Sequence, residues 1–268
     1  LATGAAAAGT AICSGEGGML PAEREAAHRY VLEMASGYFG WTEANIARAD
    51  AVEIKCGQGA KPGLGGLLPG AKVTEEIAEV RGIAVGTDSH SPSRFPDLDS
   101  PAALAERVAW IRTVNPRIPV GIKLAAGRIE DDVATAVDCG ADYLVVDGLG
   151  GGTGAAPVHV KDHVGIPSWV ALHRARVWLD AHGHPDVQVV VTGGFRTPEE
   201  MAKVLAIGAD AVALASASLM AIGCQQYRAC HRGTCPVGIA TQAPALRSRL
   251  DPDVSAERLA TFLRAATA

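Results

Sequence analysis

Three cysteines, Cys224, Cys230 and Cys235, stand at Cys-x5-Cys-x4-Cys spacing in GCQQYRACHRGTCPVGIATQ (223–242), a loop that is otherwise polar or basic. Thiolates at short, uneven intervals suit a soft metal or an iron–sulfur cluster, because a loop can bend its sulfurs toward one centre. Three ligands leave a tetrahedral zinc site incomplete, whereas a cluster with one iron missing requires only three. The bland alternative is a disulfide or incidental thiols. A second kind of chemistry resides in the backbone. Gly193-Gly194 after one expected strand and Ser216-Ala217-Ser218 after the next set N–H groups at helix starts, where together they can cradle a phosphate dianion. Ordinary left-handed turns are the competing reading.

Charges at strand ends form a third set. Lys123 closes PVGIK and would point a cation into the mouth of the sheet, while Glu16 in SGEGG, Lys61 in GAKPG and Arg81 lie near strand ends or the following helix. Lysine and arginine are natural partners for a dicarboxylate. Taken singly, each of these charges is more simply a solvated surface group. His90, His159, His163 and His231 are scattered without metal spacing, and Asp131-Asp132 suits the start of a helix. Trp110, Trp169 and Trp178 read as core or interface residues.

These groups need a scaffold. Apolar runs alternate with helical stretches along the chain: strands are expected at 10–13, 51–55, 83–85, 119–123, 143–147, 187–192 and 211–215. Helices are expected at 21–35, 74–81 (Thr74 as N-cap), 101–112, 129–138, 168–181 and 198–207. Short strands, apolar on both faces and separated by helices, read as an all-parallel sheet. Glycine or polar loops follow their C-terminal ends. The pattern is that of an α/β (β/α)8 TIM barrel with its first strand unaccounted for, the open doubly wound sheet being the competitor. LATGAAAAGT, starting without methionine, reads as the end of a helix, so a preceding segment is expected. One domain over 1–268 is expected, with the cysteine loop at 223–242 and a helical tail at 243–268.

Composition narrows the function classes. A chain of 268 residues with 48% hydrophobic and 20% charged residues buries a sizeable core. A net charge of −5 disfavours nucleic acid or an anionic membrane as partner. No apolar run reaches the roughly 18 residues that span a bilayer, and no signal peptide is visible. Six cysteines, half of them clustered, do not form a secreted disulfide scaffold, so the cytoplasm is expected.

Several segments then share one likeness. EIKCGQGAKPGLGGLLPGAKV, DGLGGGTGAAP, the GG and ASAS loops and GCQQYRACHRGTCPVGIATQ resemble, in order, the FMN-binding synthase domain of glutamate synthase. The resemblance implies a barrel carrying FMN beside a [3Fe-4S] cluster. Electrons would reach the flavin through the cluster and reduce a 2-iminoglutarate formed from 2-oxoglutarate and ammonia. It implies cluster ligation by Cys224, Cys230 and Cys235. It further implies flavin contacts from Gln58, Lys123, Asp147, Gly151, Gly152, Thr153, Gly193, Gly194, Ser216 and Ala217, and a 2-oxoglutarate pocket lined by Glu16, Lys61 and Arg81.

Departures from the family pattern keep alternatives open. Leu67 replaces a substrate-contacting glutamine, and DSHSPSRFPDLDS departs from the usual pattern. The chain also shows no amidotransferase cysteine domain, no second cysteine set and no G-x-G-x-x-G fingerprint. The likeness is therefore to the short, separately encoded branch, an expected oligomer working with glutaminase and electron-donor subunits or a ferredoxin. An N-methylglutamate synthase activity, an electron relay without synthase activity, and a flavin-free zinc barrel are the alternatives.

Overall fold

The strands sort their side chains by chemistry. In AVEIK, VGIKLA, YLVVD and QVVVT, β-branched and aliphatic residues alternate with charged or small ones, which suits extended chain with two different faces. The computed structural model describes residues 1–153 and 156–268. Its strands are β1 (Ala11–Cys13), β2 (Arg29–Met34), β3 (Ala51–Lys55), β4 (Gly66–Leu68), β5 (Ser89–Ser91), β6 (Val120–Ala125), β7 (Tyr143–Asp147), β8 (Gln188–Thr192) and β9 (Ala211–Val212). Seven of them form one sheet in the order β1-β2-β3-β6-β7-β8-β9, in which neighbouring strands pair parallel. β4 and β5 pair antiparallel outside it.

Spatial order follows chain order, so each crossover advances in the same direction. A doubly wound sheet would reverse. Curvature follows from one cavity touched by residues at or just beyond the C-terminal ends of β1, β2, β3, β6, β7, β8 and β9. A flat sheet of that width would hold its two edges roughly 29 Å apart at a strand spacing of about 4.8 Å. The architecture is therefore the curled parallel sheet of a (β/α) barrel, as expected.

The outer face carries Leu32, Met34, Val52, Ile54, Val120, Ile122, Leu144, Val146, Val189 and Val191, all fully buried. Each such side chain contributes about 1.5–3 kcal/mol by leaving water. It packs in one core with Val133, Ala136, Leu172, Ala175 and Leu179 of the helices Ile129–Asp138 and Ser168–Ala181. The inner face is different: Cys13, Glu33, Glu53, Lys55, Lys123, Tyr143 and Asp147 point inward by register. The expectation of strands apolar on both faces is corrected here, because the interior houses charge.

Two further corrections concern elements. The helix expected over 21–35 is a short helix, Pro21–Ala26, followed by β2. Ala27 is already extended, and RYVLEM then runs from exposed Arg29 to three consecutive buried residues, Leu32, Glu33 and Met34, so both of its faces are covered at the C-terminal end. The strand expected at 83–85 is absent: Gly82 closes the helix Glu75–Arg81 in a left-handed cap, and Val85 is 58% exposed. The helical tail is present as Pro244–Arg247 and Pro252–Thr267, the latter donating from Arg264 to the Ala7 carbonyl of the helix Ala2–Ala7 at 2.6 Å. Among the described residues no helix is long and apolar enough to cross a membrane.

Candidate active site

The cavity at the strand C-termini has a volume of about 430 Å³, within the range of ligand pockets. Register sets its floor. Glu33 pairs with Glu53 across β2 and β3, and Lys55 pairs with Lys123 across β3 and β6, so these residues share one face at adjacent levels. Lys55 Nζ lies 3.1 Å from Glu33 Oε1 and 3.1 Å from Glu16 Oε2. Lys123 Nζ lies 3.2 Å from Glu33 Oε2 and 3.3 Å from Glu53 Oε1. One carboxylate thus clamps two lysines. Gly121 makes room below: a Cβ there would come within 2.2 Å of the Tyr143 ring, whose hydroxyl donates to the Val52 carbonyl.

Electrostatics follows from this enclosure. Burial disfavours charge on Lys55 and Lys123, but Glu33 with Glu16, and Glu53 with Glu33, respectively outweigh it, so both ammonium groups are held above the usual lysine range. Burial pushes the Asp147 carboxyl up, against the pull of Lys123. Lys61, almost buried, donates to the Gly65 carbonyl at 2.7 Å; burial lowers its pKa and Glu16 opposes the fall.

The rim is built from backbone. Gly193 and Gly194 take φ of 114° and 100°, a region costly for any residue with a Cβ. A Cβ on Gly194 would lie 2.6 Å from the Gly150 carbonyl oxygen, so the loops after β7 and β8 meet main chain to main chain. Ser168 Oγ donates to the Gly193 carbonyl at 2.7 Å and fixes that contact. Ser216 opens the next loop onto the same space.

β4 and β5 form the outer wall. Leu67, 55% exposed, lines the cavity. Ser91 Oγ reaches Glu16 at 3.5 Å, and Ser89 accepts from Arg81 at 2.8 Å. The 87–100 loop that departs from the family pattern therefore contributes β5 to this wall.

The cysteine loop follows the six-residue helix Ser216–Ala221. Cys224 Sγ accepts from the Gln226 amide at 3.5 Å, and Gln226 and Arg228 take φ of 55°, uncommon for residues with a side chain. Cys230 opens a 3-10 turn closed by Gly233. Burial opposes a thiolate at Cys235, yet hydrogen bonding by the amides of Ala240, Val237, Ile239 and Gly238 prevails and holds its pKa below the usual thiol value. Lys72 donates to the carbonyls of Cys230, at 3.1 Å, and His231. Among the described residues, the cysteine sulfurs are not gathered within 4.8 Å of one another. A single tetrahedral ion, with metal–sulfur bonds of about 2.3 Å, would need them closer.

A family model described as "Conserved region in glutamate synthase" matches residues 1–268. The chain belongs to the glutamate synthase family. It is 44% identical over 268 residues to an archaeal-type glutamate synthase [NADPH] of Thermotoga maritima, covering 99% of this chain and 53% of that protein. It is 41% identical to an archaeal glutamate synthase [NADPH] of Methanocaldococcus jannaschii, covering 97% and 51%. A glutamate synthase large subunit-like protein of Rhizobium meliloti is 38% identical, at 100% and 64% coverage. The chain thus spans about half to two thirds of the length of these relatives. Among solved structures, a mandelate oxidase mutant with (S)-mandelic acid matches with a TM-score of 0.57 at 15% identity, covering 99% of this chain and 65% of that one. A flavocytochrome b2 mutant with pyruvate bound matches at 0.52 and 14%, covering 96% and 54%. At such identities these two speak for the fold.

Within this family member, Glu16, Gln58, Lys61, Lys123, Asp147, Gly151, Gly152, Thr153, Gly193, Gly194 and Ser216 all line the one cavity. Ala217 is buried beside Ser216. Arg81 stands behind the wall, bonded to Ser89 and stacked on Phe39 at 4.6 Å, with its guanidinium near Gly17. Gly154 and Ala155 of the GLGGGTGAAP segment lie outside the described residues. Glu33, Glu53 and Lys55 were not anticipated. The signal for two of them was present in AVEIK, where glutamate and lysine two apart share one face of an otherwise apolar strand. Glu33 was hidden by the helical reading of its strand.

Proposed function

We propose that this chain is the FMN-binding, iron–sulfur-bearing synthase module of a glutamate synthase-type oxidoreductase, reducing an imine of 2-oxoglutarate or a related 2-oxo acid to an amino acid. The observation that carries the reading is the placement of Lys123, Gly193–Gly194 and Ser216 around the same cavity as Glu16, Lys55 and Lys61, in a chain of this family. Lys123 at the floor suits the edge of a flavin that gathers negative charge, and the glycine and serine loops suit its phosphate. A Cβ on Gly194 would lie 2.6 Å from the Gly150 carbonyl oxygen, so main chain and not side chains forms the rim here, as a phosphate cradle built of N–H groups requires. When bound, FMN supplies two-electron chemistry and the [3Fe-4S] cluster single-electron entry.

The chain's own residues would do the rest. Cys224, Cys230 and Cys235 would ligate the cluster, and the amides around Cys235 shift it toward the thiolate form. Lys55 and Lys61 would hold carboxylates of the substrate, with Arg81 supporting the wall through Ser89. Glu16, within 3.1 Å of Lys55, would hold or move a proton at its carboxylate beside the imine carbon. Glutaminase and electron-donor subunits or a ferredoxin would supply nitrogen and electrons. Apolar, exposed Leu67 on the wall favours a second reading, in which the substrate is other than 2-oxoglutarate, as in an N-methylglutamate synthase-type subunit, or electrons are only relayed.

Anaerobic purification followed by an absorption spectrum and iron and sulfide assays tests the cofactors. Flavin peaks with a broad iron–sulfur shoulder are expected; stoichiometric zinc without either would overturn the proposal. Incubation with 2-oxoglutarate, a reduced dye and ammonium or methylamine then tests the reaction. Flavin that cycles while no amino acid forms selects the relay.

A further inference from the structure

At the cavity floor two carboxyl groups meet, Glu33 lining the cavity and Glu53 behind it. Glu33 and Glu53 face each other in the β2–β3 register, at 3% and 6% exposure. Their carboxylate oxygens lie within 4.8 Å of each other and of Cys13 Sγ. Their cationic partners are unequally shared. Glu33 has Lys55 at 3.1 Å on one oxygen and Lys123 at 3.2 Å on the other. Glu53 Oε1 has Lys123 at 3.3 Å, but outside hydrogen-bonding geometry, and is buried without a hydrogen-bond partner. An ionised carboxylate there carries an uncompensated desolvation cost. A proton on Glu53 removes that charge and makes the orphaned group a donor beside a carboxylate, the usual resolution when two such groups cannot both ionise.

We infer that Glu33 and Glu53 hold one proton between them at the cavity floor, and that this proton leaves the charge of Lys123 available to an anionic group above. With both carboxyls ionised, Lys123 would be neutralised from below by two anions. With the proton in place, Lys123 keeps one anionic neighbour, Glu33, instead of two, while Lys55 remains offset by Glu16; Lys123 borders the cavity and Glu53 does not. An anion bound above Lys123 then meets one repelling carboxylate fewer, and by linkage it strengthens the hold on the proton.

Glu53 is surrounded by Lys123 from β6, Glu33 from β2, Cys13 from β1 and Tyr143 from β7. Asp147 acts on Lys123 from the end of β7, and Lys55 and Glu16 act through Glu33. Burial pushes Glu53 up to about 7, with Glu33 adding to the rise and Lys123 opposing it. Burial works against the charge of Glu33 as well, but Lys123 and Lys55 outweigh it and hold that carboxyl below the usual range. The shared proton therefore resides on the Glu53 side.

Infrared titration of the purified full chain tests this without flavin or substrate, and so separately from the proposed function. The wild type should show the C=O stretch of a buried protonated carboxyl below neutral pH, fading around pH 7, the region to which Glu53 is pushed. Glu53→Gln should abolish the band. Glu33→Gln, which removes the neighbouring anion, should move its midpoint down by about one pH unit or more. A wild type without the band, a band that survives Glu53→Gln (as one from Asp147 would), or a midpoint indifferent to Glu33→Gln overturns the inference. Carboxyl ¹³C NMR of the wild type follows the same titration with no substitution. Spectra in which no buried glutamate carries a proton at about pH 6 would overturn it there too.

Discussion

The charges at the cavity floor and the three cysteines of the loop after the helix Ser216–Ala221 are held in contrasting ways. Glu33, Glu53, Lys55 and Lys123 sit on adjacent parallel strands whose register places them face to face. Cys224, Cys230 and Cys235 hang on a segment with left-handed residues at Gln226 and Arg228 and one 3-10 turn, tied to the wall by Lys72. Groups that must stay fixed in a low dielectric are on the ladder, where removing one leaves its partners buried and unpaired. Groups that could gather about an inorganic centre are on backbone that can bend. Stability should therefore depend on the first set, and metal retention on the second.

The largest expected effect tests the rigid half. Lys123→Met removes the cation between Glu33 and Glu53 and should lower the free energy of urea unfolding by about 3 kcal/mol above neutral pH, as breaking a buried ion pair does. A loss no greater than that of a loop-cysteine variant would break the contrast.

Next comes pH. The folded-state pKa of Glu53 is raised from 4.5 to about 7, so between those values the folded chain binds more protons than the unfolded one. Stability then falls as pH rises through that window. Relative to Glu53→Gln, the wild type should lose roughly 3 kcal/mol across it, since each pKa unit is worth about 1.4 kcal/mol. Parallel unfolding curves for the two proteins across this range would refute the assignment.

Smaller effects concern the loop. Lys72→Met should change global unfolding by about 1 kcal/mol or less, yet speed hydrogen exchange at 230–233 about fivefold. Uniform exchange across both proteins would show that Lys72 does not tie the loop. Cys230→Ser, compared in metal-free form, should shift unfolding by no more than about 0.5 kcal/mol, because Cys230 is exposed. Its iron content should nevertheless collapse, and full retention would remove Cys230 from the ligand set.

Much of the scaffold was legible because its signals were local. AVEIK, YLVVD, the helix 129–138 and the helix 168–181 were bounded correctly by apolar runs between turn residues. RYVLEM was misread since Ala22, Ala26, Tyr30 and Met34 also fit helical spacing, and only pairing to β1 and β3 decides for a strand. The cavity rim was likewise visible, as Gly193–Gly194 follow β8 directly and Ser216 comes shortly after β9. The floor was not. Glu33, Glu53 and Lys55 look like solvated charges until the sheet curls and buries them, and curling is a property of the whole order of strands. Arg81 was expected to line the pocket with Glu16 and Lys61, yet it is not among the cavity-lining residues and engages Ser89 of β5, a strand that no apolar run announces.

The charged floor also bears on how the chain finds its fold. Parallel strands receive no alignment from a hairpin turn and must choose their register across long connections. A slip of β3 by one residue would turn Glu53 and Lys55 outward into the aliphatic layer and swing Val52 and Ile54 into the charged interior. Glu33 and Lys123 would then lose neighbours on both sides. Misaligned sheets are thus penalised in both layers at once, and the residues gathered for chemistry double as the instruction that aligns β2, β3 and β6 during folding.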